Sequence, residues 1–249
     1  MTSSALSGQV VLITGAARRI GAALARGFHN EGANVAIHYY RSGSEAEDLR
    51  VQLNETRPHS AIAIGADLLS ADVLPGIIEQ TIQVFGRLDV LINNASSFYP
   101  TPLGTISLAQ WDDLIGTNLR APLFLAQAAV AHLRRTQGLI LNLIDIHGQR
   151  PLPDHAVYST AKAGLAMLTR ALARELGPDV RVNGIAPGPI LWPDREIEED
   201  LKEEIVSKTL LKRSGSPEDI VRTALFFAKD APYVTGQVLA VDGGRSVGW

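Results

Sequence analysis

Val10-Val11-Leu12-Ile13-Thr14-Gly15-Ala16-Ala17-Arg18-Arg19-Ile20-Gly21 is the stretch that decides the fold. Val10 to Thr14 is short and continuously apolar, the pattern of a strand buried on both faces of a parallel sheet. Gly15 ends the strand. An Ala-rich amphipathic segment follows, from about Ile20 to Glu31, with Gly32 as its C-terminal stop. Asn34 to Tyr39 reads as a second strand. The result is a β-α-β unit of about 30 residues with a glycine turn directly after its first strand.

The turn has the chemistry of a phosphate site. Backbone amides at a helix start, with the positive end of the helix dipole, suit a pyrophosphate. Gly15 permits the tight turn and Gly21 lets the helix approach the strand. The usual dinucleotide fingerprint carries a further glycine between them, and here Arg19 takes that place beside Arg18 and Ile20. Its guanidinium lies where a phosphate or an anionic substrate would sit. The end of the second strand selects the nucleotide. A carboxylate there would hold the ribose hydroxyls of NAD, but the sequence is His38-Tyr39-Tyr40-Arg41-Ser42. Arg41 and Ser42 suit a 2′-phosphate, so NADPH is expected in preference to NADH.

Outward from this unit the alternation repeats. Helices are expected at Ser44–Thr56, Leu74–Phe85, Val157–Leu176 and Glu218–Ala228, with one or two more, bent at Pro122, across Trp111–Arg135. Strands are expected at Ala61–Ala66, Leu88–Asn93, Leu139–Ile144, Val180–Ile185 and Val238–Val241. Seven strands alternating with helices imply an α/β fold, a doubly wound parallel sheet with helices on both faces, in a single domain over residues 1–249. Residues 189–216 interrupt the alternation and suit a substrate-covering lid. The run Asp194-Arg195-Glu196-Ile197-Glu198-Glu199-Asp200 within them reads as a solvated helix face.

The totals set outer bounds. The chain has 249 residues, 46% of them hydrophobic, and a net charge of −3, which suits a full core and gives no reason to expect nucleic acid or an anionic membrane as partner. It has no cysteine, which excludes disulfides and thiolate metal sites, and no metal is expected. Neither a secretory signal nor an apolar run of bilayer length is visible, so a soluble cytoplasmic protein is expected.

Tyr158 and Lys162, four residues apart, lie on one face of their helix. A fixed ammonium beside a phenol favours the tyrosinate and is expected to lower its pKa from about 10 toward the range of general acid–base work.

With Thr14-Gly15…Gly21, Asn93-Asn94-Ala95, Asn118, Tyr158-x-x-x-Lys162 and Pro187-Gly188 in this order, the chain resembles the short-chain dehydrogenase/reductase family along essentially its whole length. The resemblance implies a Rossmann-type fold and hydride transfer with a nicotinamide cofactor. It makes Tyr158 the proton donor and Lys162 the residue that holds the nicotinamide ribose and tunes the tyrosine. Asn118 would order a proton-relay water, Asn94 and Ala95 would line the cofactor, and Asp67 with Leu68 would face the adenine. It also implies a homotetramer, with the Tyr158 helix and the preceding long helix forming one interface.

One position departs from the family. A serine normally stands 13 residues before the tyrosine, and here the residue is Asp145, in Leu143-Ile144-Asp145-Ile146-His147. An ionised carboxylate accepts but does not donate, so it would repel the alkoxide of a ketone under reduction. Two readings follow. Either Asp145 caps a loop and the enzyme is impaired, or the substrate is a ring C=N and the carboxyl, coupled to Tyr158, relays a proton to nitrogen. Asp145 resembles the pteridine reductase branch, as do Arg18-Arg19-Ile20-Gly21, His38-Tyr39-Tyr40-Arg41-Ser42 and the segment Asn93-Asn94-Ala95-Ser96-Ser97-Phe98-Tyr99-Pro100-Thr101-Pro102. The compact chain is similar to the bacterial members.

By that resemblance, Phe98 and the nicotinamide sandwich a flat pterin. Ser96 and Arg19 bind its polar edge or the cofactor phosphates, and Pro189-Ile190-Leu191-Trp192-Pro193 closes the pocket. The substrate would be a dihydropterin, with dihydrofolate and oxidised pterins as further candidates. The alternatives are a carbonyl reductase acting on a ketone or 3-oxoacyl thioester, and a non-catalytic nucleotide-binding sensor.

Overall fold

A computed structural model describes residues 5–191 and 198–248. Seven strands form one parallel sheet in the order β3-β2-β1-β4-β5-β6-β7. They are β1 (Val10–Ile13), β2 (Asn34–Tyr39), β3 (Ala61–Gly65), β4 (Val90–Asn93), β5 (Leu139–Leu143), β6 (Arg181–Pro187) and β7 (Val238–Val241). All four residues of β1 are fully buried, and their side chains alternate between two cores. Val11 and Ile13 join the core beneath α1 (Arg19–Asn30), α2 (Gly43–Thr56) and α8 (Pro217–Lys229), where Leu24, Phe28, Leu49, Ile220 and Phe227 pack. Val10 and Leu12 join the core beneath α3 (Leu74–Phe85), α5 (Ala121–Thr136) and α6 (Ala156–Leu176), with Ile77, Leu125, Leu133 and Leu172. An unbroken apolar run is what a strand covered on both faces requires.

The expected elements are present with small shifts at their ends, and α7 (Glu199–Ser207) is an added helix with no buried residue. Of the expected solvated run, Asp194 to Ile197 lie outside the described residues. The Trp111–Arg135 segment holds more than a bend. It comprises α4 (Leu108–Ile115), a π-turn over Gly116–Arg120, and α5. Ser107 and Gln110 start α4 with reciprocal capping hydrogen bonds. Pro122 offers no N–H to the Asn118 carbonyl four residues back, which relaxes the ladder where the chain widens into the π-turn. Among the described residues no helix is long and apolar enough to cross a membrane.

β1 and β4 are neighbours although β2 and β3 intervene in sequence. The chain therefore reverses its direction of winding between them, and a crevice opens beyond their C-terminal ends.

Candidate active site

The crevice at the β1/β4 switch point is an open cleft of about 780 Å³. Its wall runs along the turn Gly15 to Gly21, the end of β2 from His38 to Ser42, Asp67 and Leu68 after β3, and Asn94 to Ser97 after β4. Adjoining it is a smaller cavity of about 180 Å³ lined by Asp145, Tyr158, Lys162, Pro187 and Gly188, with Arg19, Asn94 and Ser96 shared between the two.

The turn is built for an anion. α1 begins without a capping side chain and without an acidic residue in its first turn, so its leading N–H groups and positive dipole end remain available. A Cβ on Gly21 would come 2.2 Å from the Gly15 carbonyl oxygen and 2.7 Å from Asn94 Nδ2. Only glycine allows this approach of helix to strand. Arg19, at the place of the expected third glycine, has φ +55°, the left-handed region that favours glycine. An arginine there is a strained choice, of a kind that clusters at functional sites. Its Nη2 donates to the Leu191 carbonyl at 3.4 Å, so the side chain reaches across the smaller cavity. These features fit a nicotinamide dinucleotide, with its pyrophosphate at the start of α1.

Two expected contact residues also brace the turn. His38 lines the cleft, but both its ring nitrogens are engaged: Nδ1 accepts from the Gly15 N–H at 3.2 Å and Nε2–H donates to the Ala66 carbonyl at 3.1 Å. Burial lowers its pKa from 6.5 to about 4, against the opposing effects of the Ala66 carbonyl and the Asp67 charge. Asn94 donates through Nδ2 to the carbonyls of Thr14 and Gly15, at 2.8 and 3.0 Å. The Thr14 hydroxyl accepts from the N–H groups of Asn94 and Ala95, both at 3.0 Å. Thr14, to which the sequence motif assigns no role of its own, therefore clamps the phosphate turn to the loop after β4. Tyr39 lies over Gly65, where a Cβ would meet its ring at 2.9 Å.

At the end of β2, Arg41 stacks on Tyr40 with 5.0 Å from Cζ to the ring centroid. Ser42 precedes α2 without spending its side chain on a cap. Both face the cleft beside the start of that helix. Asp67 turns back to accept from the Leu69 N–H at 2.9 Å, and Leu68 is buried beneath it.

Asp145 follows β5 and Tyr158 lies in the first turn of α6. The Tyr158 hydroxyl donates to Asp145 Oδ2 at 2.7 Å, and Asp145 Oδ1 accepts from the His147 N–H at 2.8 Å. Capping and coupling to the tyrosine are thus both properties of this carboxylate, one per oxygen. Lys162 is fully buried, with Nζ donating to the Leu143 carbonyl at 2.9 Å and lying 5.7 Å from the Tyr158 ring centroid. Burial lowers its pKa from 10.5 to about 8, with Asp145 opposing.

The expected lowering of the Tyr158 pKa is reversed. Burial first, then the Asp145 charge and its hydrogen bond, push the phenol well above 10, with Ser96 acting the other way. Helical spacing brings Tyr158 and Lys162 to one face, but the lysine points its charge at a backbone carbonyl. The carboxylate is the nearer charge and holds the phenol protonated.

Asn118 is buried in the π-turn. Its Nδ2 donates to the carbonyls of Ser97 and Leu114, and Oδ1 accepts from the Ser96 hydroxyl at 2.7 Å. Tyr99, from the 93–102 segment, and Asp113, to which sequence alone assigns no role, secure the same loop. The Tyr99 hydroxyl donates to Asp113 Oδ2 at 2.8 Å, and Ser97 donates to the other oxygen at 3.2 Å. Burial and Asp113 push the Tyr99 phenol up to about 12. Phe98, between these anchors, has its ring edge-on to Tyr158 at 4.8 Å. Of the segment expected to close the pocket, Ile190 and Leu191 line the smaller cavity, while Trp192 and Pro193 lie outside the described residues.

Residues 15–246 match the family model described as Enoyl-(Acyl carrier protein) reductase. With the parallel sheet and the switch-point crevice, this places the chain in the short-chain dehydrogenase/reductase family, oxidoreductases that bind nicotinamide cofactors. The chain is 35% identical to pteridine reductase 1 of Leishmania tarentolae over 281 aligned positions, covering 96% of each chain. It is 37% identical to the 3-oxoacyl-[acyl-carrier-protein] reductase FabG of Staphylococcus aureus over 248 positions, 98% of each chain. It is 34% identical to 3beta-hydroxysteroid dehydrogenase 1 of Eggerthella lenta over 249 positions, covering 97% of this chain and 95% of the relative.

Proposed function

We propose that this protein is an NADPH-dependent pteridine reductase that reduces a ring C=N of a dihydropterin, with dihydrofolate and oxidised pterins as further substrates. The observation that carries the reading is the 2.7 Å hydrogen bond between Tyr158 and Asp145 beside the exposed ring of Phe98. Bound NADPH supplies the hydride. Arg41 and Ser42 hold its 2′-phosphate, the start of α1 holds its pyrophosphate, and Lys162 holds its nicotinamide ribose. Phe98 covers one face of the flat substrate, while Arg19 and Ser96 meet its polar edge.

Reduction of C=N places a hydride on carbon and a proton on nitrogen. When Asp145 carries a proton, it donates to the Tyr158 oxygen, and the phenolic hydrogen is free to pass to the substrate nitrogen. Asp145 thus refills the tyrosine, Asn118 orders the relay, and each turnover takes up one proton. Ile190 and Leu191, from the segment expected to form a lid, border the pocket in this reading. The exposed apolar residues Leu123 and Phe124 on α5 and Met167 on α6 support a homotetramer joined through these helices.

The similar identity to 3-oxoacyl-[acyl-carrier-protein] reductases supports a second reading, reduction of a ketone. The test follows NADPH absorbance with 7,8-dihydrobiopterin and with a 3-oxoacyl thioester. Turnover of the pterin, lost in Tyr158→Phe and reduced about 100-fold or more in Asp145→Ser, is the expected result. Turnover of the thioester alone would establish the second reading, and an undiminished Asp145→Ser rate on pterin would remove the proton role.

A further inference from the structure

We infer that His155 is a specificity-determining residue of the substrate pocket, acting by fixing the plane of the Phe98 ring so that one face alone is open to a flat heteroaromatic substrate. The inference rests on the pterin reading above. Phe98 is 45% exposed and sits on a loop, where a phenylalanine ring has rotamer freedom to lose. Two ring contacts fix it. His155 stacks face to face, with centroids 4.8 Å apart and planes 19° from parallel. Tyr158 meets it at the same distance, nearly perpendicular at 73°. One face is therefore spent on the imidazole, and a planar substrate has the other.

His155 is itself held. Nδ1–H donates to the Pro153 carbonyl at 2.7 Å, and the His155 carbonyl accepts from the Ser159 N–H at 2.9 Å as α6 begins. The histidine stands three residues before Tyr158 at the entry to the same helix. Helix, hydroxyl and stacking plane are thereby referred to one rigid start, although Phe98 belongs to a loop nearly 60 residues earlier in the chain. The Tyr99–Asp113 pair fixes the backbone of that loop, and His155 fixes the ring. The arrangement does not touch the 2′-phosphate or pyrophosphate positions, so its effect falls on substrate and not on cofactor.

The experiment compares wild type, His155→Ala and His155→Phe with 7,8-dihydrobiopterin and NADPH, and measures NADPH affinity by fluorescence titration. The expected KM for the pterin rises about five-fold in His155→Ala, the worth of one aromatic pair, and returns toward wild type in His155→Phe, which restores a ring. The kcat and NADPH affinity stay within about two-fold. A pterin KM changed less than about two-fold in His155→Ala overturns the inference, and so does a lowered KM, which would mean that the imidazole stands where the substrate must go. A raised KM that His155→Phe fails to restore also overturns it. Turnover by wild type with an unaltered variant removes this inference alone, whereas no pterin turnover by wild type removes the underlying reading and this inference with it.

Discussion

Replacing His38 by glutamine tests the claim that this histidine braces the phosphate turn. The ring is buried, accepts from Gly15 and donates to Ala66, which only the neutral tautomer with its hydrogen on Nε2 can do. Its pKa falls from 6.5 in the unfolded chain to about 4 in the folded one. A depressed folded pKa means that the full stability is present above about pH 6.5 and is lost as pH falls toward about 4, because the unfolded state binds the proton first. The shift of about 2.5 units corresponds to about 3 kcal/mol in total, of which about 2 kcal/mol is lost by about pH 5. His29, also lowered to about 4 by burial and the Arg57 charge, adds a loss of the same sign. Glutamine retains an acceptor and a donor and does not titrate. Urea unfolding at about pH 7.5 and about pH 5 should therefore show a decrease in stability about 2 kcal/mol smaller in His38→Gln than in wild type. Equal decreases in the two proteins would refute the argument. A variant that keeps its stability but loses NADPH would instead make His38 a direct ligand.

Three further outcomes follow from the same crevice. Arg19→Gly should relieve the left-handed strain and raise stability by about 1 kcal/mol in thermal unfolding, while raising KM for the pterin. Arg41→Ala should raise KM for NADPH about ten-fold or more and leave KM for NADH nearly unchanged, as read in paired steady-state titrations. Thr14→Val should cost about 1–3 kcal/mol of unfolding free energy, because it strips the shared acceptor from two N–H groups; a calorimetric loss well under 1 kcal/mol would show that the Thr14 clamp contributes little.

The sheet was legible because each of its strands is a local statement. Val10 to Ile13 is apolar at every position since both faces are covered, and β2 and β5 repeat the signal with His38 and Asn142 set into buried apolar runs. The glycine turn was legible because Gly21 meets the Gly15 carbonyl within one β-α-β unit, whereas the approach of Ala95 to Gly15 comes from the loop after β4 and was not. What escaped depends on distant partners. Thr14 looks like the end of a strand until the loop 80 residues later is laid against it. Tyr99 stands inside a segment legible only by resemblance and Asp113 carries no pattern in the chain; their pairing appears only when α4 is laid against that loop, and only Pro122 hinted that the helix beyond was irregular.

Tyr158 shows most clearly how local spacing can mislead about chemistry. Spacing alone makes its helical neighbour Lys162 the charge that matters, because four residues make about one turn. In the fold, Lys162 is drawn to the Leu143 carbonyl, and a carboxylate from the end of β5 comes to 2.7 Å of the phenol. Burial first, and then a charge of the opposite sign, raise the pKa where the lysine was expected to lower it. For the same carboxylate the sequence offers a loop cap or a proton relay, alternatives that exclude each other only if one oxygen must serve both. A carboxylate has two. Oδ1 ties the turn at His147 and so fixes the group's orientation, and that fixed orientation is what aims Oδ2 at the tyrosine. In the proposed mechanism the cap is the means by which a proton donor is held in line, and that would give a residue that departs from its family's serine both a structural and a chemical reason to be an aspartate.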